Sequence, residues 1–425
     1  MRILIVAFFL AIITPTVHAG SCDDLRSLGD QLTVALPVAA MALTALKRDG
    51  EGGVQLARTM VLAGAGAGLF KEIGGKSRPD ANTSQQSFVS GHATGAFIGS
   101  SYMYTRYGKG WGIPAYGLAA LTAYSRVCAE KHFADDVLGG ALTAMMANWY
   151  STSPVEGSAR LYPSFNSNGI ELSFSGFFDG NRQPRDIKNF KPRYRTVFEF
   201  GPVVQDKNIV RSPNDGLVID LEALEAEMHM TARMIFERYL NDKHELAFWY
   251  GPMGMTDFAN PEEPFTVGDT TFVPGDENGD IFDTNYRWWD IRSTWRYRLI
   301  DNEKWTVKAG LGIQFSRTEF EVEQRTEFGG TVNVASHAEE SVVAPMLHLS
   351  ASYRFNHKWS VDAEVDGIGN DKEHYWNSAL WLRYTASPLW DLSLGGRIIQ
   401  AKLDRPDLYN EIELSDFTMQ IGRSF

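Results

Sequence analysis

An N-terminal all-α helical bundle followed by an antiparallel transmembrane β-barrel of about ten to twelve strands is the fold class that the 425-residue sequence predicts. Three observations predict it: a short apolar run at the very start, apolar stretches of helical length up to about residue 150, and a two-residue apolar period beyond residue 155. Length alone favours two domains over one. Apolar residues make up 44% and charged residues 22%, a globular composition that excludes a largely disordered chain. The 40 Lys and Arg against 52 Asp and Glu leave a net charge of −12, the wrong sign for a general nucleic-acid binder. Mean hydropathy of −0.23 argues against many membrane-spanning helices but is neutral about a barrel, whose strands are only half apolar.

Residues 1–19 carry Arg2, an apolar run from Ile3 to Ile13 and the small-residue site Val17-His18-Ala19, the pattern of a secretory signal peptide cleaved after Ala19. A retained anchor is the weaker alternative, because the run is short for a spanning helix. Lipid attachment at Cys22 would want a large aliphatic residue three positions upstream, where the chain has Ala19. Export places Cys22 and Cys128 where disulfides persist. If they pair, the closed loop of about 100 residues contributes on the order of 4 kcal/mol; if their backbones do not approach, they remain two thiols.

The expected layout is a helical domain over 20–155, a linker over 156–168 and the barrel over 169–425. Apolar runs at about 31–47, 54–71, 92–107, 111–126 and 136–150 read as helices. They are rich in Ala, Gly, Ser and Thr and fall short of about 18 uncharged apolar residues, so they are expected to be buried helices, with Gln31–Leu46 closest to a membrane span.

Beyond Ser153-Pro154 the alternation begins. From Glu222 to Leu240, Leu224, Ala226, Met228, Met230, Ala232, Met234 and Phe236 interleave with charged and polar residues, which no helix would do. The same pattern recurs at Trp289–Leu299, Trp305–Phe315, Leu347–Phe355 and Trp359–Val365. A soluble sandwich alternates too. Strands of ten residues or more, aromatics near strand ends (Trp288, Trp305, Trp359, Trp381, Trp390) and tight turns alternating with long polar loops such as 257–283 favour a transmembrane barrel. Phe417, Met419, Ile421 and the terminal Phe425 resemble the closing strand of bacterial outer-membrane barrels, although Arg423 breaks the apolar phase.

Three stretches of the helical part carry chemistry: Lys71 through Arg78-Pro79, Ser87-Phe88-Val89-Ser90-Gly91-His92, and Ser125-Arg126 followed by His132 and Asp136. In this order and spacing they resemble the three-part motif of the type 2 phosphatidic acid phosphatase and vanadium haloperoxidase superfamily, over residues from about 30 to 150. Val89 stands where that family usually has proline, which bears on loop rigidity and removes no reacting group.

The resemblance implies a phosphatase site. Phosphoryl transfer spreads negative charge over equatorial oxygens, and Lys71, Arg78 and Arg126 would supply the cations, with Ser90 and the Gly91 amide as further donors. His132 would be the nucleophile forming a phosphohistidine, Asp136 would fix its tautomer, and His92 would protonate the leaving oxygen and later activate water. No metal or other cofactor is implied. Read singly, each residue has a plainer role: Lys71 and Arg78 as helix-end charges, Asp136 as a cap, either histidine as a surface residue. Lys76 and Lys131 are expected to be solvated, and His229 and His348 to be ordinary lumen residues.

The expected function is dephosphorylation of a lipid head group, with lipid A phosphate the leading substrate, by a protein of the outer membrane whose catalytic domain faces the periplasm. Outer-membrane lipids are the expected surroundings, nucleic acid is not an expected partner, and oligomeric state is unassigned. Hydrolysis of soluble phosphomonoesters or of other lipid phosphates (phosphatidylglycerol phosphate, undecaprenyl diphosphate), vanadate-dependent halide oxidation, and a plugged channel are the alternatives.

Overall fold

A computed structural model describes residues 19–74, 76–79, 86–153, 160–166, 169–175, 191–211, 218–220, 229–259, 264–267, 270–273, 281–325, 332–369, 373–405 and 409–424. The expected signal segment before Ala19, the acidic loop residues Asp269, Asp276, Glu277 and Asp280, and the terminal Phe425 lie outside these residues. Two compact units divide the chain, one up to Ile73 together with Gln86–Phe190, the other Gly74–Gln85 together with Lys191–Phe425.

The first unit holds five helices, α1 (Ala19–Leu46), α2 (Gly50–Gly74), α3 (Gly91–Tyr107), α4 (Lys109–Cys128) and α5 (Ala134–Ser151). Helix α3 is central and packs against α1, α4 and α5. Its small residues permit close crossings: a Cβ on Gly99 would lie 2.4 Å from the Leu36 carbonyl carbon of α1. Leu36, Ala40, Leu56, Ala93, Phe97, Ala119, Val137 and Ala141 form the core. Beside it Arg106 donates to both oxygens of Asp49, at 2.7 and 2.6 Å, and Tyr107 donates to Asp49 at 3.0 Å. Cys22 and Cys128 form a disulfide with a Cα separation of 5.5 Å, tying the start of α1 to the end of α4.

The expectation of buried helices fails on one side of this unit. Val34 and Val61 are 63% and 69% exposed, and Val38, Met41, Val54, Leu69, Ile73 and Trp111 are exposed as well. A bundle centred on α3 leaves the outer faces of α1 and α2 uncovered. Over Cys22–Leu46, α1 is also long and apolar enough to cross a membrane by length and composition.

A short antiparallel pair follows, β1 (Arg160–Asn166) with β2 (Gly169–Ser175). The barrel strands therefore start later than residue 169, at β3 (Tyr194–Arg211). After β4 (Val218–Asp220) come β5 (His229–Tyr239), β6 (His244–Ala259), the small pair β7 (Phe265–Val267) and β8 (Thr270–Phe272), then β9 (Ile281–Asp301), β10 (Trp305–Arg325) and β11 (Val332–Arg354). The last four are β12 (Trp359–Gly369), β13 (His374–Ser387), β14 (Trp390–Asp404) and β15 (Tyr409–Ser424). Antiparallel pairing runs β3-β5-β6-β9-β10-β11-β12-β13-β14-β15 and returns from β15 to β3, a closed barrel of ten strands, with β4 added beside β3.

Its polarity is inverted relative to a soluble sandwich. Leu311, Ile313, Leu347, Leu349, Leu380, Leu394 and Phe417 point outward and are exposed. Arg292, His348, Asp366, Asn377 and Arg397 point inward and are buried. The lumen is filled by ion pairs. Arg195 bridges Glu237 at 3.0 Å and Asp391 at 2.6 Å, Arg233 binds Glu199 at 2.8 Å and also Asp416, and Arg292 binds Asp290. Toward the long-loop end the lumen turns apolar, with Met253, Phe282, Trp288, Phe320 and Leu414 in one cluster. Strand β5 departs from the simple alternation, because Met230, Ala232 and Met234 on one face and Thr231 and Arg233 on the other are all buried.

Three tight turns share one device. Asn241, Asn302 and Asn356 each accept with Oδ1 from the amides two and three residues on, at 2.8 to 3.0 Å. Beside two of them, Trp305 packs on its register partner Tyr353 and Trp359 on Tyr384, ring centroids 4.8 and 4.9 Å apart, as expected of aromatic belts.

Candidate active site

Ser90 ends the loop before α3 in an extended conformation and caps that helix, its hydroxyl accepting from Ala93 N at 3.4 Å. The loop is pinned at the same point, since Ser90 N donates to the Asp136 carbonyl at 2.9 Å. Gly140 allows this approach: a Cβ there would stand 2.5 Å from the Ser90 carbonyl oxygen. Gly91 and His92 occupy the first turn of α3, where backbone amides point out of the helix and favour an anion.

Asp136 is the N3 residue of α5. Its Oδ2 accepts from Phe133 N at 2.9 Å, reaching back over the helix start, and from the Ser87 hydroxyl at 2.5 Å. His132 Nδ1 lies 3.7 Å from that oxygen and 3.4 Å from Ser87 Oγ. His132 is 3% exposed and Asp136 fully buried. The plain capping role and the histidine-orienting position thus belong to the same carboxylate oxygen.

Arg126, in the last turn of α4, is buried. It donates to Asp30 Oδ1 at 2.7 Å and to the Arg26 carbonyl at 2.5 Å, both on α1. Burial lowers its proton affinity below the usual arginine value, against the opposing pull of Asp30. His92 Nε2 lies 3.0 Å from the same Asp30 oxygen. Lys71 donates to the Gln86 carbonyl at 2.9 Å, and its Cε would lie 4.0 Å from a Cβ on Gly91.

The helical unit therefore brings Lys71, Ser90, Gly91, His92, Arg126, His132 and Asp136 into one linked set. Arg78 falls in the segment 74–85, which groups with the barrel strands. There the Arg78 carbonyl accepts from Thr256 at 3.2 Å and that of Pro79 from Asn285 at 3.0 Å. Lys76 in this segment is 1% exposed, which corrects the expectation of a solvated lysine. The pairing of Cys22 with Cys128, open from sequence, is made two residues after Arg126. Two participants escaped sequence reading: Ser87, quoted inside a motif without a role, and Asp30, whose stretch Gly29-Asp30-Gln31 has no local signature.

A buried histidine backed by a carboxylate, next to a buried arginine and a capped helix start, is equipment for phosphoryl-group hydrolysis. Residues 52–156 match the family model described as the PAP2 superfamily. Over 155 residues the chain is 34% identical to the lipid A 4'-phosphatase of Helicobacter pylori (strain J99), a match spanning 34% of this chain and 77% of that protein. The chain belongs to the PAP2 superfamily, and its enzyme class is that of a phosphatase.

Among solved structures, the outer membrane protease OmpT from Escherichia coli aligns with a TM-score of 0.36 and 10% identity, over 56% of this chain and 100% of its own. Neisserial surface protein A aligns with a TM-score of 0.26 and 12% identity, over 55% and 97%. Both scores are low, and it is the strand pairing that makes the sheet a closed barrel.

Proposed function

We propose that the protein is a lipid phosphate phosphatase of the outer membrane that works through a phosphohistidine on His132, with the phosphate of lipid A as its leading substrate. The observation that carries the reading is the Asp136–His132 arrangement: with Nδ1 turned toward Asp136 and Ser87, Nε2 is the nitrogen that attacks. His132 Nε2 bonds to phosphorus as the ester P–O bond breaks, and the departing oxygen takes a proton from His92. Water then attacks phosphorus, His92 takes its proton, the P–N bond breaks and inorganic phosphate leaves. Arg126, Lys71, the Ser90 hydroxyl and the amides at the start of α3 would hold the equatorial oxygens. Arg78, in the segment grouped with the barrel strands, has a buried Nε with no hydrogen-bond partner among the described residues.

The likeness to the lipid A 4'-phosphatase of Helicobacter pylori supports lipid A. The exposed Val34, Val61, Leu69 and Trp111 support a lipid over a soluble ester, because such an apolar face suits a bilayer surface. The inverted polarity of the barrel supports the membrane setting, and we place the catalytic unit on the periplasmic side. The test is phosphate release by the detergent-folded chain from lipid A, phosphatidylglycerol phosphate, undecaprenyl diphosphate and 4-nitrophenyl phosphate, with chelator present and His132→Ala alongside. Lipid-selective release lost in the variant is expected. Equal rates on all four substrates would sink the lipid reading.

A further inference from the structure

The barrel lumen holds a second set of reactive groups that phosphate hydrolysis leaves unused. His348 and Ser350 stand two residues apart on β11, so both face the lumen. His348 Nε2 lies 3.0 Å from Ser350 Oγ, and His348 Nδ1 lies 2.5 Å from Asp366 Oδ1. Register sets the second contact, because His348 is directly opposite Asp366 on β12. The other oxygen of Asp366 accepts from Asn377 Nδ2 at 3.0 Å and from Arg292 Nη1 at 3.2 Å, which holds the carboxylate in place. A hydroxyl, an imidazole and a carboxylate are thus linked in line, the arrangement that turns a serine into a nucleophile.

Access and charge distinguish this chain from a merely structural network. The His348 and Asp366 side chains are 0% and 4% exposed, while Ser350 lines a cavity of 290 Å³ at the tight-turn end of the lumen. Lys308 stands directly opposite Ser350 on β10 and lines the same cavity, with Glu245 holding its ammonium at 2.7 Å. Among the described residues, seven Lys and Arg side chains, Arg296, Arg354 and Lys358 among them, line it against the three carboxylates Glu237, Asp362 and Glu364. This excess of positive charge would favour an oxyanion forming at a carbonyl beside Ser350 and draw in a negatively charged substrate.

We propose that Ser350, His348 and Asp366 form a second hydrolytic centre, an esterase within the barrel acting on short-chain esters that carry a negative charge. Ser350 Oγ bonds to the ester carbonyl carbon while His348 Nε2 takes the hydroxyl proton. The bond to the leaving alcohol breaks, and the alcohol departs with that proton. Water then adds to the acyl carbon and gives a proton to His348 Nε2. The acyl–Oγ bond breaks, Oγ recovers the proton, and the carboxylic acid leaves. Asp366 stabilises the imidazolium in both halves. The cavity volume restricts the acyl chain to a short one.

The full chain, folded in detergent, is treated with diisopropyl fluorophosphate, which transfers its phosphoryl group to an activated serine Oγ with loss of fluoride. Mass spectrometry of peptides reads the adduct, and the rate of monomethyl succinate hydrolysis is followed in parallel. Wild type and His132→Ala are expected to carry one adduct on the Ser350 peptide. Ser350→Ala is expected to carry none while keeping its phosphatase activity, and His348→Gln to label about a hundredfold more slowly. A wild-type barrel that retains its heat-modifiable gel mobility yet takes no label at Ser350 overturns the proposal. So does labelling of Ser350 at an unchanged rate in a folded His348→Gln variant.

Discussion

Asp30 Oδ1 lies 3.0 Å from His92 Nε2, and the same oxygen receives Arg126 Nη1 at 2.7 Å. A carboxylate oxygen thus sits between Arg126, proposed to hold the phosphate, and His92, proposed to protonate the leaving oxygen. On that mechanism the substrate displaces it. Charge-assisted hydrogen bonds of this kind contribute about 1.5 to 3 kcal/mol, so Asp30→Asn is expected to lower KM for the phosphate ester by about tenfold. Steady-state kinetics with inorganic phosphate as competitor checks this. An unchanged KM together with an unchanged phosphate inhibition constant would count against displacement.

Replacing the proposed nucleophile His132 and, in turn, Ser87 separates their roles. His132→Ala is expected to lower kcat by about a thousandfold or more, and Ser87→Ala, which removes one partner of Asp136 Oδ2, by far less. Quenched reactions followed by phosphohistidine detection at alkaline pH provide the second readout. An adduct persisting in His132→Ala would move the nucleophile elsewhere.

The exposed face of α1 and α2 predicts a split between substrates. Val61→Glu combined with Leu69→Glu is expected to leave turnover of 4-nitrophenyl phosphate unchanged and to reduce that of a phospholipid in vesicles by about tenfold or more, because two exposed aliphatic side chains that would meet the bilayer are lost. Parallel loss on both substrates would point to misfolding.

Reduction of the Cys22–Cys128 disulfide frees a loop spanning 106 residues in sequence. The loop-entropy estimate assigns such a bridge about 4 to 5 kcal/mol. The helical unit of Cys22→Ser is therefore expected to melt well below that of wild type, while the heat-modifiable mobility of the barrel stays the same. Circular dichroism on heating distinguishes the two.

Acid should weaken the helical unit through Asp49. The hydrogen bonds from Arg106 hold its carboxyl down to about 2, from an ordinary value of 3.8. A depressed acid contributes stability above its unfolded pKa and loses it as pH falls through the folded one. About 2 kcal/mol is therefore expected to be present above pH 4 and to fade between about pH 4 and pH 2. Wild type and Asp49→Asn, compared by urea unfolding, should converge as the pH is lowered through this window. A gap that stays constant over the window would contradict the linkage.

Much of this was legible before any coordinates. Helices α3, α4 and α5 fall at nearly their expected places because a helix start is written in local residues such as Ser90 and Asp136. A barrel of about ten to twelve strands was legible because apolar and polar residues alternate in segments such as Trp305–Phe315 and Trp359–Val365, whereas the number ten follows from strand pairing. What was hidden depends on tertiary approach. Asp30 reaches Arg126 and His92 only because α1 crosses α3 and α4, which no spacing encodes. The His348–Asp366 pair depends on strand register, so two lumen residues that look ordinary in sequence become directly opposed.

The seam of the barrel sets an order of assembly. Strands β5 with β6, β9 with β10, β11 with β12 and β13 with β14 are neighbours in sequence and can zip as hairpins around their own turns. Closure instead joins Arg195–Arg211 to Tyr409–Ser424 and locks it with Arg195 on Asp391 and Gln420 on Glu199. The last strand of the barrel is thus the one that seals its first. The barrel cannot complete itself until β15 is available, whereas the helices and their disulfide need only about the first third of the sequence.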